Sequence, residues 1–123
     1  MNLFIPLFQD TTMTQYYISL PDPEKARGSE ADLSFRAHSA PGFAEELQDA
    51  LRSTALFEKW RAKQPDPDAV ETRWAAVDPQ ASVEGKQEDL RINLLVTTTI
   101  NGEVFKHRMR LLAGHHWELR EVR

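Results

Sequence analysis

A chain of 123 residues, 41% hydrophobic and 28% charged, is long enough for one domain that buries its own core without covalent staples. The absence of cysteine excludes a disulfide framework, thiolate catalysis and thiolate metal sites. A formal net charge of −4 argues against nonspecific nucleic-acid binding. No apolar run is long enough to span a membrane, so the expectation is a cytoplasmic protein.

In chain order, Leu3 to Phe8 is apolar but too short for a signal-peptide core and has no basic residue before it. It reads as an extra strand, an interface tail or a leader, with Met13 as an alternative initiator. Residues 1–14 are therefore set apart as an N-terminal tail or extra strand, and 15–123 as a single α+β domain. Tyr16 to Leu20 is aromatic and β-branched and stops at Pro21-Asp22-Pro23, which predicts a short strand. Pro21 to Ala31 reads as a loop. Leu33, Phe35 and Ala37 alternate with Ser34, Arg36 and His38, which predicts a second strand paired with the first.

Ser39-Ala40-Pro41-Gly42 is a helix start, with Ser near the cap and Pro in the first turn. Phe43, Leu47, Ala50, Leu51, Thr54 and Phe57 then fall on one helical stripe, while Leu56 and Trp60 lie off it. The helix either bends near Ser53-Thr54 or is covered on two sides, and it ends by Gln64. Asp68 with Glu71 resembles a capping box for a second, shorter helix carrying Val70, Trp74 and Val77. Gln80 to Glu88 is polar and linker-like, with at most a brief strand at Ser82-Val83.

Asp89 to Arg123 carries the sharpest pattern. Leu90, Ile92, Leu94, Val96, Thr98 and Ile100 alternate with Asp89, Arg91, Asn93, Thr97 and Thr99, and only Leu95 breaks the polar set. That is a half-buried antiparallel strand. Asn101-Gly102 follows, the strongest short signal for a two-residue hairpin turn. A turn there sets Ile92 opposite Leu111, Leu94 opposite Met109 and Thr98 opposite Phe105, so both strands keep their apolar residues on one side. The segment HWELREV supplies a third strand, with Trp117 and Leu119 on the apolar face and Glu118 and Arg120 on the other. The fold expected is α+β: a mostly antiparallel sheet with a C-terminal three-stranded meander, covered on one face by one long and one short helix.

In that register Arg91, Lys106, Arg108, Arg110 and Arg120 share one sheet face, offset only by Glu118. Such a strip would recruit a protein partner with an acidic surface. Without exposed aromatics for base stacking it is a poor match for single-stranded nucleic acid. The competing reading is a plain solvated face. On the apolar side His107 would stand beside Phe105, Trp117 and Trp60, the makings of a pocket with a general base. The competing reading is a hydrogen-bonded histidine at the core edge.

His115 and His116 are adjacent, so in a strand they point to opposite faces and cannot chelate one metal as a pair. No metal site, cofactor or catalytic set is expected. The string RMRLLAGHHWELR resembles, over a few residues, the segment around one strand of RelE/HigB-type ribonuclease toxins. That match is too short to imply an activity. A helical first half followed by long hairpins is similar to the nuclear-transport-factor-like pocket proteins, a likeness of fold alone. The function expected is a small partner-binding accessory protein of the adaptor, inhibitor or immunity kind. A pocket protein or enzyme built around His107 is the alternative.

Overall fold

The computed structural model describes residues 13–123, so the expectations for Leu3 to Phe8 lie outside the described residues. Seven regular elements make up an α+β fold. They are β1 (Thr14–Leu20), α1 (Ala40–Arg52), α2 (Ala55–Ala62), β2 (Ser82–Glu88), β3 (Arg91–Thr98), α3 (Gly102–Ala113) and β4 (Glu118–Val122), with short 3-10 turns at Pro23–Lys25, Pro67–Ala69 and Thr72–Ala75. The four strands form one sheet in the order β2-β3-β1-β4, and every neighbouring pair is antiparallel. The sheet begins at Thr14, just inside the stretch set apart as a tail.

β3 behaves as its alternation predicts. Ile92, Leu94, Val96 and Thr98 are buried, while Arg91, Asn93, Leu95 and Thr97 are half-exposed. Its neighbours are not the expected ones. β2, read as linker, pairs with β3 along its whole length, and the hairpin turn between them is Asp89-Leu90. Asp89 adopts a φ of 55°, the left-handed conformation that Asp tolerates. Leu90, expected on the apolar face, is 86% exposed in that turn. On its other side β3 pairs with β1, from Thr14 opposite Thr98 to Leu20 opposite Ile92. Leu33 to His38 forms no strand. Leu33 and Phe35 are buried nonetheless, and the Phe35 N–H bonds the Leu112 carbonyl at 2.9 Å.

The largest departure is at Asn101-Gly102, where the chain enters α3 instead of turning back. Asn101 is the helix cap, its side-chain oxygen accepting the Val104 N–H at 3.1 Å. Val104, Phe105, Arg108, Met109 and Leu112 are buried along one helical face. There is thus no three-stranded meander. The HWELREV strand is β4, and it pairs with β1 through a bulge near Tyr17 and Ile18.

The long helix forms and breaks where expected. Ser39 caps α1 by accepting the Gly42 N–H, and Ser53-Thr54 separates α1 from α2. The second helix expected after Asp66 is only a pair of 3-10 turns, without a side-chain cap at either. α1 and α3 cover one face of the sheet. Phe43, Leu47 and Leu51 from α1 and Phe105 and Met109 from α3 are buried with Ile18, Leu20, Leu94 and Val96. Phe105 stacks on Tyr16 with ring centres 4.2 Å apart. α1 also guards the β2 edge, because Gln48 accepts the Val83 N–H at 3.1 Å.

Helix start and hairpin turn respond oppositely to substitution. At the first position of a helix Gly102→Ala meets only the Tyr16 hydroxyl, at 3.9 Å, so denaturant unfolding should show it neutral or stabilised by about 0.5 kcal/mol. Asn101→Ala should cost about 1 kcal/mol through the lost cap. A hairpin turn would reverse the first result, since Ala there would be forced to positive φ.

Candidate functional site

The five cations expected on one sheet face are divided among three environments. Arg91 of β3 and Arg120 of β4 do lie together on the sheet face that no helix covers among the described residues. One Arg91 nitrogen donates to the Ser19 hydroxyl at 2.8 Å. Arg91 and Arg120 both approach the Glu118 carboxylate, at 4.0 and 3.4 Å. Lys106 and Arg110 are exposed on α3, in the helical layer. Arg108 is 1% exposed and points into the interior. The single-signed strip therefore does not form, because the residues that were to build its central strand are helical.

Arg108 is bound entirely by backbone. Its guanidinium donates to the carbonyls of Ala50 at 3.0 Å, Trp74 at 2.8 Å and Ala76 at 2.6 Å. Ala50 lies in the last turn of α1, where carbonyls lack helical partners and a cation is favoured. Burial lowers the pKa of this arginine from its ordinary value. Asp78 is the acidic counterpart, also buried. It accepts the Thr98 hydroxyl at 2.8 Å, the Thr99 N–H at 2.9 Å and the Gln80 N–H at 3.0 Å. Burial pushes its carboxyl up, but these donors outweigh burial and hold it below the usual carboxylate range.

The pocket residues are likewise separated. His107 touches Trp60, ring centres 4.5 Å apart, and Trp74 at 5.0 Å. Phe105, two residues earlier on the same helix, faces the opposite way against Tyr16. Trp117 follows α3 and donates its indole N–H to the Gly114 carbonyl at 3.0 Å. The His107 Nδ1 is buried without a partner among the described residues. Burial lowers the imidazole pKa from 6.5 to about 4, helped by the charges of Arg110 and Arg108. An unpaired, neutral histidine between two indoles fits a core-edge residue better than an oriented general base, although it lacks the hydrogen bond expected of one.

What the fold leaves open is the outer face of the sheet. Register sets Glu84, Leu95, Tyr17 and Glu121 in one row across the four strands, and Lys86, Asn93, Ser19 and Glu118 in the next. The first row, with Lys86 and Asn93 of the second, lines a concavity of about 830 Å³ that includes Arg91 and Arg120. Its centre is Tyr17 and Leu95, and its margins are charges of both signs. Leu95, the one apolar residue among the outward positions of β3, was visible in the sequence as a break in alternation. Tyr17 was not separable from Tyr16 without knowing the strand's neighbours.

Among the described residues no helix is long and apolar enough to cross a membrane. No group of three or more His, Asp or Glu side chains gathers among them as a metal site. The fold and surface define an α+β protein with a helix-covered core and a sheet face that is uncovered among the described residues. No family model, curated protein or solved structure matches the chain.

Two stability measurements test the buried groups. Arg108→Ala should lower unfolding free energy by about 3 kcal/mol or more, because buried carbonyls lose their donor. His107 protonates more readily unfolded than folded, so its contribution is present above pH 6.5 and lost as pH falls towards about 4. His107→Phe should flatten that part of the stability profile, and an unchanged slope from pH 6.5 down to about 4 would assign it to other groups.

Proposed function

We propose that this chain is a non-enzymatic accessory protein that binds another folded protein through the open face of its sheet. The observation carrying this reading is the Tyr17–Leu95 pair at the middle of a concave face, uncovered among the described residues, with charges around it. An apolar centre inside a polar rim is the usual anatomy of a specific interface, and tyrosine is among the residues that dominate binding energy. The helical layer already covers the other face, so a partner has this one to occupy.

The chemistry of the partner follows from the Arg91–Arg120 corner. Two guanidiniums there share the Glu118 carboxylate, and Lys86 stands in the same row as Glu118. A carboxylate from the partner would complete the corner, so an acidic surface patch remains the best fit. The footprint is smaller than a full basic strip and carries acids of its own at Glu84, Glu88 and Glu121. Electrostatic steering would be correspondingly modest. The pocket alternative at His107 has less support, since Trp60 and Trp74 pack directly on its ring.

A photo-crosslinking residue at Leu95, expressed in the native host, should give a discrete protein adduct, while the same residue at Lys106 on α3 should not. Arg91→Glu with Arg120→Glu should suppress the Leu95 adduct by about tenfold or more while the chain stays folded, since the ion pairs lost are on the surface and Arg91 gives up a single hydrogen bond, to Ser19. Adducts from Lys106 and none from Leu95 would move the interface to the helical layer.

A further inference from the structure

A second cavity lies at the end of α3, on the helical side of the molecule. It has a volume of about 310 Å³ and is lined by Arg27, Gly28, Ser29, Arg110, Gly114, His115 and His116. That volume is at the lower end of the range for small-molecule sites. No lining residue is acidic, although the chain as a whole carries a net charge of −4. The side chains of Arg27, Ser29, Arg110, His115 and His116 can all donate hydrogen bonds.

The acids near this loop are engaged elsewhere. Glu24 lies 3.3 Å from His38, and Glu30 and Asp32 lie 3.4 and 3.3 Å from Lys63. Arg27 and Arg110, like Arg36, Arg52 and Arg108, have no ion pair among the described residues, whereas Arg61, Arg73, Arg91, Arg120 and Arg123 each have at least one. Arg27 is fixed in place by donating to the Ala37 carbonyl at 2.8 Å, by lying 5.4 Å over the Phe43 ring and by approaching, at 3.5 Å, the same His38 ring nitrogen that Glu24 meets. Its Nη1 is buried without a partner, a donor whose desolvation nothing described offsets.

The walls are built by close approach. A Cβ at Gly28 would fall 2.0 Å from the Leu111 carbonyl oxygen, and one at Gly114, where φ is 64°, would fall 2.8 Å from the Arg27 carbonyl oxygen. The backbones of the loop and the helix end are therefore locked together. The negative end of α3 does not oppose an anion strongly. The Arg110 carbonyl is bonded by the Gly114 N–H, and the Leu112 and Ala113 carbonyls by the N–H groups of Phe35 and His116.

We infer that this cavity is a binding site for a small phosphate-bearing anion, held by Arg110 with His115, His116 and Ser29 and drawn by the fixed charge of Arg27. A phosphate supplies the acceptors that a cluster of unpaired donors lacks, and guanidinium–phosphate contacts are among the stronger charge-assisted bonds. The site is independent of the open sheet face and of the partner proposed there.

The test is an amide chemical-shift titration of the full chain, at constant ionic strength, with inorganic phosphate and separately with phenyl phosphate. The expected result is saturable shifts at Gly28, Ser29, Gly114 and His115. Arg110→Ala should weaken binding by about tenfold or more, and Lys106→Ala, on the same helix, should leave it unchanged. Tighter binding of phenyl phosphate would mark a phosphorylated organic molecule as the ligand, and tighter binding of inorganic phosphate the free ion. Shifts that drift without saturating at basic residues throughout, or equal effects of the two variants, would overturn the site.

Discussion

The guanidinium of Arg108 is the contact on which the helical layer depends. From the middle of α3 it reaches the last turn of α1 and the carbonyls of Trp74 and Ala76, joining three segments distant in sequence. No carboxylate pairs with it among the described residues. Backbone dipoles carry the compensation, and at Ala50 that dipole is the negative end of a helix. Asp78 works with the same logic and opposite sign. Its own N–H bonds the Leu51 carbonyl at 2.8 Å, while its carboxylate collects donors from the end of β3 and the turn beyond. The stretch from Trp74 to Ala81 has little regular structure of its own. It is held by these two buried charges and by Arg52, which donates to the Ala81 carbonyl at 2.7 Å.

That arrangement explains why the C-terminal half was misread in sequence. On a helix, residues 104, 105, 108, 109 and 112 form one stripe, but the central member is an arginine, so the stripe looks broken. Phe105 and Met109, four apart, also share parity, so a strand period accommodates them equally well. Asn-Gly then tipped the balance towards a turn, although Asn is as good a helix cap as it is a turn residue. Local signals were consistent with both structures, and the burial of one charged side chain decided between them. A buried arginine satisfied by carbonyls leaves no trace in hydropathy, because its acceptors are backbone atoms of residues that could be anything.

The elements with a single local solution were legible. β3 showed its inward face through Ile92, Leu94, Val96 and Thr98. α1 showed its cap, its stripe and its break at Ser53-Thr54. β4 showed which of its residues face the core, with Trp117 and Leu119 packed against it. What failed was pairing. Leu33 to Phe35 contributes buried side chains without strand geometry, and polar Ser82 to Glu88 is a strand because α1 covers its edge and β3 supplies its partner. Strand partnership depends on contacts between remote segments, and β2 has too little hydrophobic alternation to announce itself. The candidate surface inherited this error: with α3 wrongly extended, three cations were moved from the helical layer onto the sheet.

Correcting the register separates stability from recognition. The charges that the core needs are Arg108 and Asp78, both buried among backbone partners. The ion pairs of the open face are with exposed neighbours, and such pairs contribute at most about 1 kcal/mol each; only Arg91 also holds a buried group, the Ser19 hydroxyl. Folding therefore makes little demand on Lys86, Arg91, Glu118 or Arg120, and their identities are free to be set by whatever meets them. The same holds for Tyr17 and Leu95, which are half-buried, Tyr17 with the Arg123 guanidinium 5.5 Å over its ring. A half-exposed apolar pair at the centre of a face is a cost in solubility that the fold does not require. A partner that removes the pair from water turns that cost into binding free energy, and the surrounding charges then fix its orientation.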